Sequence, residues 1–270
     1  MTLHLSAAFR GKIALVTGAS SGIGAEIALR LAKDGMHVLL VARRADRLQE
    51  MQRRIETEGG KADWFACDLG DFNQLEALIT QIKERFGAPE ILVNNAGFGW
   101  YGYLKDMPWN EADDLLRVNI VALTRLTQAF MPQMTARNSG HIINLGSIVG
   151  VMPNQGIALY SGSKAYVDAF TTALHRELRG TQVHAGVIRP GPVKTEFFDL
   201  SAKLPGSTRI PGEQLAATSA QVADEIIRQL NHPKRFRFVP GWMRVTAWVE
   251  FYFGWVVDLV GPILLRNRQA

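Results

Sequence analysis

A phenol and an ammonium stand four residues apart in Tyr160-Ser161-Gly162-Ser163-Lys164, and the hydroxyl of Ser147 lies upstream. On a helix, residues i and i+4 share a face with Cβ atoms about 5–6 Å apart, so Lys164 is expected beside the Tyr160 hydroxyl. A neighbouring positive charge favours phenolate and should draw the tyrosine pKa down from about 10 towards working pH, where a general acid/base is most effective. That pairing suits a proton moving to or from an oxygen while hydride moves at the adjoining carbon.

Such chemistry needs a hydride carrier, and the N-terminal region offers a place for one. Thr17-Gly18-Ala19-Ser20-Ser21-Gly22-Ile23-Gly24 follows an apolar strand and opens a helix. Its glycines permit a tight turn and close backbone approach, and the helix N-terminus offers unpaired N–H groups to a pyrophosphate. The spacing is G-x-x-x-G-x-G rather than the general G-x-G-x-x-G. The following strand ends Val41-Ala42-Arg43-Arg44. Ala42 supplies no carboxylate to an adenosine ribose, whereas Arg43 and Arg44 offer charge-assisted hydrogen bonds to a 2′-phosphate. NADP(H) is therefore expected over NAD(H).

The elements that must hold these groups alternate along the chain. Strands are predicted at Ile13–Thr17, His37–Val41, Ala62–Ala66, Ile91–Asn94, His141–Leu145, Val183–Ile188 and Arg237–Val239. Helices are predicted at Ile23–Lys33, Ala45–Glu58, Phe72–Phe86, Trp109–Thr135, Tyr160–Leu178 and Ser219–Leu230. Strands rich in β-branched residues alternating with helical patterns predict an α/β fold: a doubly wound parallel sheet of about seven strands, helices on both faces. Asp71 before Gln74 and Thr218 before Gln221 have capping-box spacing. With neither linker nor internal repeat, residues 1–270 read as one dinucleotide-binding and catalytic domain. Thr195 to Ala217, with Pro205, Gly206, Pro211 and Gly212, reads as a long substrate loop.

Composition narrows the class. The chain has 270 residues, 47% hydrophobic and 20% charged, enough for a substantial core. Cys67 is the only cysteine, so no intrachain disulfide, CxxC metal site or dithiol redox site can form, and no metal is expected. No signal-peptide pattern opens the chain, and a cytoplasmic location is expected. The net charge of +5 is spread widely without a zinc-finger or basic-zipper pattern, so nucleic acid is not an expected partner.

Taken together, these motifs resemble the short-chain dehydrogenase/reductase family, from about Gly11 to Leu230. The resemblance is carried by Thr17 to Gly24, Asp68, Asn94-Asn95-Ala96-Gly97, Asn119, Ser147, Tyr160 with Lys164, and Pro190-Gly191. It implies a Rossmann-like fold and an NADP(H)-dependent oxidoreductase, a carbonyl reductase or the reverse alcohol dehydrogenase. By the same resemblance Tyr160 is the proton donor or acceptor, Ser147 binds the substrate oxygen, and Lys164 binds the nicotinamide ribose and tunes Tyr160. Asn119 helps hold a proton-relay water. Asp68 and Leu69 flank the adenine, Asn95 stabilises the central strand, and Thr195 in Pro192-Val193-Lys194-Thr195 contacts the nicotinamide side. With Gly18, Ser20, Ser21, Gly22, Ile23, Gly24, Ala96, Gly97, Pro190, Gly191 and Val193, these complete the expected cofactor site. The family also implies a homo-oligomer, a dimer or tetramer. A regulatory or scaffold protein that binds NADP(H) without turnover is the competing class.

Phe98, Trp100, Tyr101, Tyr103 and Phe197-Phe198 lie where the resemblance places the substrate walls, so an apolar carbonyl or alcohol is expected. From Val245 to Leu265 the chain nears membrane-spanning length, but Glu250 and Asp258 argue against a span. Trp248, Phe251, Tyr252, Trp255 and Leu259 share a helical face that Gly261-Pro262 should end or kink. For this aromatic segment, about 241–270, an oligomer interface, a cover over the substrate site and a peripheral membrane contact stay open, in that order.

Overall fold

The computed structural model describes residues 3–208 and 216–266. Seven parallel strands form the sheet in the order β3-β2-β1-β4-β5-β6-β9. In chain order they are β1 (Ile13–Thr17), β2 (His37–Ala42), β3 (Lys61–Ala66), β4 (Ile91–Asn94), β5 (Gly140–Leu145), β6 (Val183–Pro190) and β9 (Phe236–Val239). A separate pair, β7 (Val193–Lys194) and β8 (Ala217–Thr218), clasps the ends of the expected substrate loop. The helices are α1 (Gly22–Lys33), α2 (Ala45–Thr57), α3 (Phe72–Phe86), α4 (Trp109–Leu116), α5 (Leu123–Ala136), α6 (Ala158–Glu177), α7 (Phe197–Ala202), α8 (Ser219–Asn231) and α9 (Val245–Arg266). This is the Rossmann-like arrangement, with its crevice beyond the strand C-termini where the order reverses between β1 and β4.

Residues alternating along each strand serve the two faces. Ala14, Val16, Val38 and Leu40 meet Ile27, Leu31, Val222 and Ile226 on one side. Leu15, Leu39 and Leu92 meet Leu78, Ile82, Leu126 and Phe130 on the other. Such wholly buried Leu and Ile side chains each contribute roughly 1.5–3 kcal/mol. Both expected helix starts are formed: Asp71 Oδ1 accepts from the N–H groups of Asn73 and Gln74, and Thr218 with Gln221 makes a full capping box.

Three expectations need correction. The helix predicted over Trp109–Thr135 is interrupted by a π-helical segment at Arg117–Ala122, because the Asn119 side chain is drawn inward to the backbone of Phe98. The segment read as an irregular loop contains α7, and its later part is fastened down. Trp100 Nε1 donates to the Pro205 carbonyl at 3.0 Å, and the Thr208 N–H to the Tyr101 carbonyl at 2.7 Å. Residues 209–215 of that loop lie outside the described residues. Finally, α9 runs through Gly261–Pro262 and breaks its helical geometry at Phe253 instead. A proline removes one backbone bond and can bend a helix without stopping it. Among the described residues, no helix is long and apolar enough to cross a membrane.

Candidate active site

The strand C-termini open into a cavity of about 1490 Å³. That exceeds the roughly 300–1,000 Å³ of a drug-sized pocket and leaves room for a dinucleotide with a substrate. Gly18, Ser20, Ser21, Gly22, Ile23, Arg43, Arg44, Asp68, Leu69, Asn95, Ala96, Gly97, Ser147, Tyr160, Lys164, Pro190, Gly191, Val193 and Thr195 all line it. Gly24 and Asn119 do not, and each acts from behind the wall.

The end of the cavity where the sequence places a dinucleotide is built by the β1–α1 turn. Gly22 opens α1 at φ 58°, a left-handed conformation that favours glycine. A Cβ at Gly24 would stand 2.2 Å from the Gly18 carbonyl, so only glycine lets the helix start this close beneath its turn. Ser21 occupies the N-cap without making a side-chain cap hydrogen bond. Its hydroxyl accepts from Arg44 Nη2 at 2.8 Å instead, so the first N–H groups of α1 face the cavity uncapped. This cradle fits a pyrophosphate. Asn95 Nδ2 donates to the Thr17 carbonyl at 2.9 Å, and Thr17 Oγ1 accepts from the Asn95 and Ala96 N–H groups. The β4 terminus is thereby tied to the glycine turn.

At the end of β2, Ala42 presents no carboxylate, while Arg43 is exposed at the rim. Arg44 donates to Glu196 Oε2 at 3.0 Å as well as to Ser20 and Ser21, bridging the glycine turn to the entry of α7. The sequence motifs did not point to Glu196.

The chemical end is built by the β5 terminus and α6. Tyr160, Ser147 and Lys164 are all buried. Ser147 Oγ accepts from the Val149 N–H at 3.3 Å and donates to the Pro190 carbonyl at 3.5 Å. Lys164 Nζ donates to the Leu145 carbonyl at 2.7 Å and lies 5.7 Å from the Tyr160 ring centre. The helix spacing thus brings the two together as expected. The pKa direction does not follow: burial pushes the phenol well above its ordinary value, with only Ser147 opposing it. Burial also lowers Lys164, to about 8. Desolvation penalises both charged forms here, and the ammonium is engaged by a carbonyl rather than aimed at the phenolic oxygen.

Asn119 Nδ2 donates to the Phe98 carbonyl and to Ser163 Oγ, while its Oδ1 accepts from the Phe98 N–H. Both of its amide donors and one lone pair of its oxygen are therefore used in joining the π segment to the β4 loop and α6. A Cβ on Gly97 would come 2.9 Å from Asn119 Oδ1 and 3.6 Å from Lys164 Nζ, which keeps that position small.

Phe98, Tyr101, Phe197 and Phe198 line the cavity near Tyr160, as the aromatic pattern suggested. The Tyr101 and Tyr160 rings are 6.4 Å apart, and Phe197 is 5.8 Å from Tyr160. Trp100 is buried behind this wall, and Tyr103 is exposed and does not line the cavity. Met152, which the sequence did not mark, and Trp242, Met243 and Thr246, from the segment about 241–270 for which a cover over the substrate site stayed open, also line the cavity. Met243 had no motif to mark it; it is brought in because its thioether fills the space over Gly191.

The comparisons with known proteins agree with this geometry. The family model for short chain dehydrogenases matches residues 12–203. A fatty acyl-CoA reductase of Acinetobacter baylyi is 40% identical over 185 residues, 66% of this chain and 62% of that protein. A 3-oxoacyl-(acyl-carrier-protein) reductase of Pseudomonas aeruginosa is 35% identical over 200 residues, 74% of this chain and 80% of that one. Several relatives are longer: the chain spans 18% of a glycine betaine reductase of Emericella nidulans. Among solved structures, a metagenomic short-chain oxidoreductase in complex with NADP superposes with a TM-score of 0.74 at 34% identity, covering 86% of this chain and 98% of that one. Fold, cavity and motif order converge, and the chain belongs to the short-chain dehydrogenase/reductase family of oxidoreductases.

Proposed function

We propose that the protein is an NADP(H)-dependent oxidoreductase that reduces an apolar ketone or aldehyde to the alcohol, or runs the reverse. The observation that carries this reading is the convergence of Ser147, Tyr160 and Lys164 on one cavity with the uncapped α1 N-terminus. The dinucleotide, when bound, supplies hydride to the carbonyl carbon. The Ser147 and Tyr160 hydroxyls donate to the carbonyl oxygen where negative charge grows, an interaction of about 2.7–4 kcal/mol per donor at comparable sites. Tyr160 then gives up its proton to that oxygen. The Lys164 ammonium offsets the charge left on the phenol, which burial would otherwise oppose.

Arg43 and Arg44 support NADP(H) over NAD(H), and the aromatic lining supports an apolar substrate. The NADP complex of the metagenomic relative and the acyl substrates named for the two reductases point the same way. In this reading residues 1–270 act as one cytoplasmic catalytic domain, and the segment around α7 serves as a lid over the substrate. The exposed aromatic face of α9 seats against a second copy of the chain in a homo-oligomer, with an anionic membrane surface as the rival. The test is NADPH consumption with ketones, aldehydes and 3-oxoacyl thioesters. Turnover on an apolar carbonyl is expected. Tight NADPH binding with no turnover across the panel would favour the non-catalytic class instead.

A further inference from the structure

One turn beyond Lys164 on α6, Asp168 is buried with a partner from the sheet. Its Oδ1 accepts from Arg189 Nε at 2.8 Å, and the two side chains are only 8% and 10% exposed. The Arg189 guanidinium lies against two β9 rings, 4.4 Å from Phe236 and 5.1 Å from Phe238. Asp168 Oδ2 is buried without a hydrogen-bond partner. A Cβ on Gly150 would lie 2.8 Å from that oxygen and 2.8 Å from the Lys164 carbonyl carbon, while one on Gly146 would lie 3.4 Å from Oδ1. The carboxylate therefore sits directly beneath the turn that carries Ser147. An arginine fork commonly engages both oxygens of a carboxylate. Leaving one bare is costly in a buried site, and it leaves a buried negative charge one helical turn from Lys164, on the same face of α6.

We infer that Asp168, steadied by Arg189, is a positioning residue that keeps Lys164 in its ammonium form beside Tyr160. This rests on the hydride-transfer reading above. Among the described residues, the charged or titratable groups facing Lys164 are Tyr160 and Asp168 on its own helix and, across Asp168, Arg189 from β6. The β5 end offers the neutral Leu145 carbonyl, and the β4 loop and π segment offer Gly97 and Asn119. Asp168 is the charge that opposes the fall of Lys164 on burial. Arg189 in turn holds down a carboxyl that burial raises.

Loss of either partner should act on Lys164 in the same direction. In the full chain, Asp168→Asn removes the negative charge, so the alkaline limb of carbonyl reduction should move to lower pH by about one unit. Arg189→Met removes the partner that keeps the buried Asp168 carboxyl ionised, so it should move that limb downward as well. Asp168→Glu retains the charge and should restore the original limb. The readout that needs no turnover is competitive acetylation of the Lys164 amine by acetic anhydride, followed by mass spectrometry across pH on cofactor-free protein. It should show the same downward shifts for Asp168→Asn and Arg189→Met and none for Asp168→Glu.

Folding of each variant is checked by circular dichroism. If Asp168→Asn does not fold, Arg189→Met with Asp168→Glu decides the matter by the same readouts. Lower activity at every pH with an unmoved limb and unmoved labelling would reduce the pair to a structural role and overturn the inference. Shifted labelling in a protein that turns over no carbonyl would overturn the reduction reading and leave the control of Lys164 standing.

Discussion

At the scale of single residues, Tyr160 carries the sharpest expectation. Tyr160→Phe keeps the ring that packs near Tyr101 and Phe197 and removes the hydroxyl alone. Carbonyl reduction should fall by roughly 10²–10⁴-fold, with NADPH affinity by fluorescence titration little changed; near-normal turnover would exclude Tyr160 as the acid. The pH dependence follows from Lys164, whose amine is lowered to about 8. Its ammonium is present below that value and lost above it, so reduction should decline with a midpoint near pH 8 rather than near the ordinary lysine value of about 10.4. A rate profile flat to pH 10 would contradict it. The juxtaposition of Tyr160 and Lys164 was legible because helix spacing is a local property, whereas Ser147 was reached through the family resemblance. The phenol's pKa direction was not, since it depends on how deeply packing buries the pair.

At the scale of elements, the link between Arg44 and Glu196 joins the β2 terminus to α7. The carboxylate occupies the arginine that the proposed 2′-phosphate would need. Glu196→Gln should therefore free Arg44 and tighten NADPH by up to about five-fold, since a partly exposed ion pair contributes about 0–1 kcal/mol. Unchanged NADPH affinity in Glu196→Gln would show that the two do not compete. Arg43→Ala should remove most of a roughly ten- to hundred-fold preference for NADP(H) over NAD(H), the range expected of charge-assisted bonds worth about 1.5–3 kcal/mol; equal affinities in the unaltered protein would sink the assignment. The arginines could be read from the missing acid at Ala42. Glu196 could not, because it is brought to Arg44 by the path of the chain from β6 to α7 and no local pattern marks it.

At the scale of the whole molecule, α9 presents Trp248, Phe251 and Tyr252 before its break at Phe253 and Trp255 and Leu259 after it, each 58–77% exposed. Deleting the chain from Trp248 onward spares Met243, which packs with Ile148 and Phe238 in the cavity wall. The shortened protein should show a smaller assembly by light scattering if a second copy covers the face. Unchanged mass, with salt-sensitive liposome binding that vanishes on deletion, would establish the membrane rival.

Far from the site, His141 on β5 is buried between Phe9 and His184, and burial lowers it to about 4. The unfolded chain takes up its proton near pH 6.5 while the folded protein resists. Stability is thus complete above that pH and is lost as pH falls towards 4, by about 3 kcal/mol at most. His141→Phe should flatten the loss in melting temperature between pH 7 and 4.5, and an unaltered slope would show that His141 is not its source. What the sequence determined by itself was the order of strands and helices, the glycine turn and the Tyr160–Lys164 register, all written in short-range periodicity and spacing. Only the tertiary structure decided the π turn at Asn119, the wall contributed by Met243, the Arg44–Glu196 tie and the buried Asp168–Arg189 pair. Each of those depends on residues distant in the chain meeting at one edge of the sheet, where burial rather than local pattern sets the energies.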